Sequence, residues 1–237
     1  MNNNFCIIIP SRIGSTRLKN KPLVDLNGKS LIQRVFLNAE SISLNTHVAT
    51  DSQLIKDNLI TITKNVVMTS KDHISGTDRV CEAANKLNIA EDTLIINLQG
   101  DEPFVPHDLI SKLIKDYYLS SCDIVTASTP LLSDDEISNY NCVLVEVNKD
   151  NFANKFSRNE FINNPSRHIG IYGYSLKTLN KLVNLKPTKN ELEFKLEQLR
   201  FIENDFSIYV SNYQKKIPNG IDTSEDLIDA NSYLLKG

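Results

Sequence analysis

Residues 5–22 read FCIIIPSRIGSTRLKNKP, an apolar run that stops at a proline and gives way to a polar loop. Phe5–Pro10 has the continuous apolar character of a strand buried on both faces, as in a parallel sheet. The loop from Ser11 to Lys21 holds Arg12, Arg17, Lys19 and Lys21 and no acid. Ser30–Ser41 follows, with apolar residues at 31, 32, 35, 36 and 39, the spacing of an amphipathic helix. The same order of strand, loop and helix then recurs. His47–Thr50 reads as a short strand ending at Asp51, Gln53–Leu59 as a helix, and Asn65–Thr69 as a strand. Thr77–Leu87 reads as a helix capped by Ser75 or Thr77. Thr93–Leu98 is a second buried strand, running straight into Gln99-Gly100-Asp101-Glu102-Pro103.

Beyond it, His107–Leu119 reads as a helix, Asp123–Ser128 and Cys142–Val147 as strands, and Arg167–Tyr174 as a strand interrupted by glycines. Leu176–Val183 and Asn190–Glu203 carry helical patterns. Ser207–Tyr213 is a strand, and Asp226–Leu235 a closing helix with Asp222 just ahead of it. Strands alternating with helices predict βαβ units around a mainly parallel, Rossmann-like α/β sheet. The stretch from 142 to 174 has no clear helix between its strand signals and reads as a small β-rich excursion. No linker, low-complexity stretch or internal repeat interrupts the chain, so one continuous domain over 1–237 is expected.

Composition narrows the function. A net charge of −3 and a pI near 5.8 argue against a general nucleic-acid binder, whose basic stripe raises the pI well above neutral. The N-terminal MNNNF has neither a positive start nor a long apolar core, so no secretory signal is expected, and no apolar run is long enough for a bilayer. Four cysteines (Cys6, Cys81, Cys122, Cys142) form no CxxC pair, which disfavours structural zinc and a redox dithiol and fits reduced, buried thiols in a cytoplasmic protein. There are only eight glycines, so those in Gly14, Gly76, Gly100, Gly170, Gly173 and Gly220 are expected where glycine alone fits.

In open parallel sheets the ligand lies at the carboxyl ends of the strands. The loop after Phe5–Pro10 matches neither a Walker A loop nor GxGxxG; its cations suit a triphosphate, or simply a solvated basic loop. Asp101 and Glu102, just past a buried strand, can hold a hard cation or form an acidic turn. Asp222 is a candidate cap for the last helix, with Thr223 as the alternative. Ser75-Gly76-Thr77-Asp78-Arg79 is a glycine turn opening a helix, able to present amides and Arg79 to a ligand or to act as an ordinary cap. Period two puts His168, Gly170, Tyr172 and Tyr174 on one strand face, which suits a hydroxylated ligand or a structural histidine. Glu197 and Gln198 can bond sugar hydroxyls or form a polar helix face.

Taken in order, IIIPSRIGSTRLKNKPL, VATD, SGTDR, NLQGDEP, FSR, RHIGIYGY, LEQLR and GIDTSEDL span essentially the whole chain. In these segments the chain strongly resembles the 3-deoxy-manno-octulosonate cytidylyltransferases, or CMP-Kdo synthetases. The resemblance implies a fold of the nucleotide-sugar-transferase type and a homodimer in the cytoplasm of a Gram-negative cell. It implies transfer of CMP from CTP to the sugar acid Kdo, with magnesium and release of pyrophosphate, for lipopolysaccharide biosynthesis. Arg12, Arg17 and Lys21 would then hold the CTP phosphates, with Arg79 and the Ser75-Gly76-Thr77 turn near the nucleotide. Asp101 and Asp222 would bind magnesium, and Gln99, Arg158, His168, Tyr172, Glu197 and Gln198 would contact Kdo. No side chain reads as a dedicated strong base, so metal activation is the preferred account. The rivals are a cytidylyltransferase for amino-Kdo, sialic or pseudaminic acid, and a non-catalytic nucleotide-binding module. The family often has Pro-Gly where this chain has Lys19-Asn20, so a different turn is expected there. The eight residues between Arg158 and Arg167 are fewer than in relatives, and the spacing from Asp51 to Val66 is compact.

Overall fold

A computed structural model describes residues 4–15, 17–131, 133–137, 139–158 and 162–236. The chain divides into two compact units, Met1–His107 with Pro218–Gly237, and Asp108–Ile217.

The first unit is built on β1 (Phe5–Ser11), whose Cys6, Ile7, Ile8 and Ile9 are wholly buried. Burying one isoleucine side chain is worth about 1.5–3 kcal/mol, so three in a row hold this strand at the centre rather than at an edge. On one side β1 pairs in parallel with β2 (Thr46–Thr50), and β2 with β3 (Val66–Met68). On the other it pairs in parallel with β4 (Leu94–Leu98), every residue of which is buried. Ile9 faces Val48, and Cys6 faces Ile95. The sequence-predicted strands are all present with ends shifted by a residue or two. Burial alone drives the Cys6 thiol up to about 12, so it stays protonated and inert; all four cysteines are buried and free.

Between the strands lie α1 (Leu31–Glu40), α2 (Gln53–Leu59) and α3 (Gly76–Lys86). Ser30 and Gln33 form a reciprocal capping box on α1, and the apolar stripe 31, 32, 35, 36, 39 is buried. Ser75 caps α3, closing a box with Asp78, which settles the choice between Ser75 and Thr77. The C-terminal helix, Ser224–Lys236, is capped by Thr223: its hydroxyl accepts from the Asp226 amide at 3.2 Å, and the Asp226 carboxylate accepts from the Thr223 amide at 2.8 Å. The Asp222 side chain is therefore left for other work. Because all four strands are parallel, their carboxyl ends and the loops that follow gather at one end of this sheet.

The second unit opens with α4 (His107–Ser120) and centres on β5 (Ile124–Thr129). A hairpin of β6 (Leu144–Val147) and β7 (Ala153–Ser157) precedes the long β8 (Ser166–Ser175). The β6 strand joins β8 at Leu144 and Val145, giving the β-rich excursion expected between 142 and 174. The β8 strand runs antiparallel to β5, with an irregularity that leaves Gly170 and Ile171 outside the ladder. After α5 (Leu176–Leu182) come α6 (Lys189–Phe194) and α7 (Glu197–Ile202), then β9 (Ile208–Asn212), parallel to β5.

The one long helix expected over 190–203 is thus two. Lys195 turns left-handed (φ 54°) and Leu196 is extended. The cause lies at Arg200, which is buried and pairs with Glu191 at 3.4 Å and Glu197 at 2.9 Å. In an unbroken helix, residues nine apart stand on opposite faces. Breaking the helix lets Glu191 and Glu197 meet one guanidinium and buries Leu196.

Candidate functional site

The ends of β1 and β4 and the start of α3 border a cavity of about 400 Å³ in the first unit. Gly100 makes this end possible: a Cβ there would stand 2.9 Å from the Pro10 carbonyl oxygen, so no other residue lets the turn after β4 lie against the end of β1. Gly14 shows the opposite. A Cβ at that position would meet nothing within 4 Å, so no close approach of protein atoms requires this glycine.

Nine of the residues singled out in the sequence line this cavity: Arg12, Arg17, Lys21, Ser75, Gly76, Arg79, Gln99, Asp101 and Asp222. They come from stretches up to 210 residues apart in the chain. Arg12 is exposed at the rim and makes no ion pair among the described residues. Lys21 lies between two carboxylates, its Nζ donating to Asp101 Oδ2 at 2.6 Å and to Asp222 Oδ1 at 2.9 Å. Arg17 reaches the other oxygen of Asp222 at 3.1 Å. Burial works against the Lys21 charge, but the two carboxylates outweigh it and raise its pKa. Asp222 thus lines the cavity, and Thr223 rather than Asp222 caps the helix. Glu102 instead packs against the backbone at Gly220.

Thr77 is buried in the first turn of α3 and does not border the cavity. Arg79 lines it, but its terminal nitrogens are spent on the protein: one donates to Asp51 at 3.0 Å, the other to Thr69 at 2.5 Å and to the Ser70 carbonyl at 3.3 Å. It ties the ends of β2 and β3 to α3. Gln99 is steadied by its own amide, which donates to the buried Asn97 Oδ1 at 3.0 Å.

Ser11 and His73 are among the lining residues that the sequence reading did not single out. Ser11, the last residue of β1, has a buried hydroxyl oxygen without a hydrogen-bond partner among the described residues. Its signal was its place at the carboxyl end of the first strand. His73 borders the cavity two residues before the α3 cap, with Nε2 held by Glu82. Burial acts to raise the Glu82 pKa, but Lys86, the Ser70 amide and His73 together hold it down at about 2. Nothing in the pattern DHISGT marked His73 apart from an ordinary loop residue.

Five further candidates belong to the second unit. His168 and Tyr172 share a face of β8, their ring centres 5.5 Å apart, as the period-two reading expected. His168 also stands edge-on to Phe156 at 5.1 Å and 2.9 Å from the Thr126 hydroxyl. Arg158, at the end of β7, donates to the Tyr140 carbonyl at 3.0 Å. Burial, and then the Arg158 charge, push His168 down to about 3. Burial, and then Glu197, push the Tyr172 phenol above its ordinary range, so both rings are neutral. Glu197 also pairs with Arg200, and Gln198 is buried in the first turn of α7.

A family model described as Cytidylyltransferase matches residues 6–217. The 3-deoxy-manno-octulosonate cytidylyltransferase of Lawsonia intracellularis is 40% identical over 230 residues, covering 93% of this chain and 90% of its own. That of Vibrio vulnificus strain YJ016 is 35% identical over 239 residues, covering 94% and 95%. This chain belongs to the 3-deoxy-manno-octulosonate cytidylyltransferase family. A solved structure of CMP:2-keto-3-deoxy-manno-octonic acid synthetase complexed with CTP superposes with a TM-score of 0.89 at 30% identity, covering 98% of this chain and 99% of the other.

Against that family background, the Lys19-Asn20 departure has a structural answer. Asn20 takes the left-handed conformation (φ 52°, ψ 35°) that leads into the turn Lys21–Leu23, the turn that carries Lys21 into the cavity. Asparagine tolerates this region better than other residues with a side chain. Asn20→Ala should cost about 1–2 kcal/mol in urea unfolding, whereas Asn20→Gly should leave stability within about 0.5 kcal/mol. Equal stability of the two variants would contradict this account. The shortened stretch between Arg158 and Arg167 lies partly, at 159–161, outside the described residues.

Proposed function

We propose that this protein transfers CMP from CTP to Kdo, giving CMP-Kdo and pyrophosphate for lipopolysaccharide biosynthesis, as one nucleotidyltransferase domain. The observation that carries this reading is the convergence of the basic loop, the α3 cap and two distant carboxylates on a single cavity. Arg12 and Arg17 supply phosphate-binding cations there, and the amide-bearing turn at Ser75 and Gly76 suits a nucleotide. The curated relatives carry the same activity in their names.

The donor set fits a divalent cation. Asp101 and Asp222 already share one ammonium group, and no cluster of three or more His, Cys, Asp or Glu occurs among the described residues. One or two carboxylates, with water and phosphate completing the shell, is the pattern magnesium takes. When bound, magnesium neutralises phosphate charge and lowers the pKa of a hydroxyl. The chain's own task is alignment. Arg12, Arg17 and Lys21 orient and neutralise the triphosphate, so that the Kdo anomeric hydroxyl forms a bond to the α-phosphorus as the bond to pyrophosphate breaks. The hydroxyl proton passes to solvent. Arg158, His168, Tyr172, Glu197 and Gln198, with Gln99, are the residues we assign to Kdo.

Among the described residues no helix is long and apolar enough to cross a membrane. A cytoplasmic homodimer completes the proposal; its subunit count is read by light scattering. Pyrophosphate release with CTP, magnesium and a panel of sugar acids tests the function. Turnover should be clearly highest with Kdo, and comparable turnover of sialic or pseudaminic acid would replace Kdo while keeping cytidylyl transfer. Arg17→Ala should raise the KM for CTP about ten- to hundredfold, the worth of a charge-assisted phosphate contact, with the KM for Kdo changed far less. An unchanged KM for CTP and an unchanged rate would remove the loop from the mechanism.

A further inference from the structure

Thr126 lies in β5, wholly buried, and had no part in the reading of the site. Its hydroxyl oxygen makes two short contacts: 2.8 Å to the Ile171 carbonyl oxygen and 2.9 Å to His168 Nε2. Ile171 is one of the two β8 residues that leave the β5 ladder. A carbonyl can only accept, so the Ile171 contact is a hydrogen bond only if Thr126 donates its single proton there. The Thr126 oxygen then faces His168 as an acceptor, and His168 must donate from Nε2. The reverse assignment would press two acceptor oxygens together at 2.8 Å with no proton between them.

We propose that Thr126 is a positioning residue that fixes His168 as the neutral Nε2–H tautomer and thereby presents Nδ1 as an acceptor for a sugar hydroxyl. The inference deepens the sugar-acid reading and rests on it. A neutral imidazole with its lone pair on Nδ1 favours an O–H donor and disfavours a carboxylate or phosphate oxygen, so His168 reads a hydroxyl of the ligand and not its acid group. The groups around the ring agree. Phe156 and Tyr172 supply apolar faces, and Tyr172 is itself an uncharged phenol. The Arg158 charge opposes a second proton on the imidazole, as does burial. Glu197 also bears on Tyr172.

The test is made on the full-length protein. In the ¹⁵N-histidine protein without ligand, the long-range ¹H–¹⁵N spectrum should show His168 as the neutral Nε2–H tautomer at pH 7, assigned by its loss in His168→Gln. Thr126→Ser keeps the hydroxyl and should keep that signature, with a KM for Kdo within about threefold of wild type. Thr126→Val removes the acceptor and should lose the pure tautomer. Its KM for Kdo should rise about tenfold or more, the size expected for one buried hydrogen bond, with the KM for CTP within about twofold. The unchanged CTP value guards against mere misfolding. An Nδ1–H tautomer or an imidazolium in the wild type overturns the proposal, as does a Thr126→Val protein that keeps the Nε2–H form. Among monodeoxy Kdo analogues, one should show the same KM with wild-type and Thr126→Val enzymes, because the hydroxyl that Nδ1 receives is missing; equal sensitivity across the set overturns the acceptor role. A His168→Gln enzyme with an unchanged KM for Kdo overturns the sugar-facing half and the site reading beneath it, while the tautomer result stands on its own.

Discussion

Asp101→Asn and Asp222→Asn are each expected to lower turnover about 10²–10³-fold at saturating magnesium, the usual loss when one preorganised charge at a reacting centre is removed. Both carboxylates border the cavity, both are part-buried, and both hold the same ammonium group. An amide keeps the shape but gives up the negative charge that a hard cation requires. The fold should persist, because Thr223 and not Asp222 caps the C-terminal helix, and because Asp101 sits in a turn that Gly100 places through its backbone. Pyrophosphate release against magnesium concentration, with thermal melting as a control, reads the effect. Near wild-type activity in either variant would remove that residue from cation binding. A large fall in melting temperature for Asp222→Asn alone would return it to a structural role.

The first unit was readable because its strands are short apolar runs bounded by the polar loops they feed. Phe5–Pro10 and Thr93–Leu98 need no partner to declare themselves, and the loops after them supply most of the residues that line the cavity. What stayed hidden depends on contacts between distant residues. The strand Ala153–Ser157 buries only Phe156 and Ser157, so its sequence shows no apolar alternation; it is a strand because β6 pairs with it. The break at Lys195 carries no glycine or proline, and its cause is a guanidinium five residues on that needs two carboxylates from different turns. Arg79 looked like a nucleotide ligand because it follows a glycine turn. Its bonds to Asp51 and Thr69 show that it also holds the frame of the site. Residue type and order brought out most of the polar side chains that line the cavity, whereas the bracing of one neighbour by another shows only in the geometry.

Lys21→Met should reduce turnover about 10²-fold or more, and the way it does so separates two tasks of the lysine. As a point charge it would serve the triphosphate under the proposed function, and as a donor it holds Asp101 and Asp222 together. If phosphate binding dominates, the KM for CTP rises and the further effect of Asp101→Asn on the same background is undiminished. If holding the carboxylates dominates, kcat falls with little change in KM, and Asp101→Asn adds little once Lys21 is gone, because residues acting as a unit are not additive. The raised pKa of Lys21 adds an independent reading through stability. A group whose folded pKa lies above its unfolded value contributes stability that is fully present below the unfolded pKa, about 10.4 for lysine, and is lost as pH rises through the folded one. The stability difference between wild type and Lys21→Met, measured by urea unfolding, should therefore be constant from pH 7 to about 10 and shrink above it. A difference that vanishes already near neutrality would mean that the carboxylates do not hold this ammonium in the folded protein. Turnover near that of wild type would mean that the cation at the centre of the cavity is dispensable, and with it the proposed alignment of CTP.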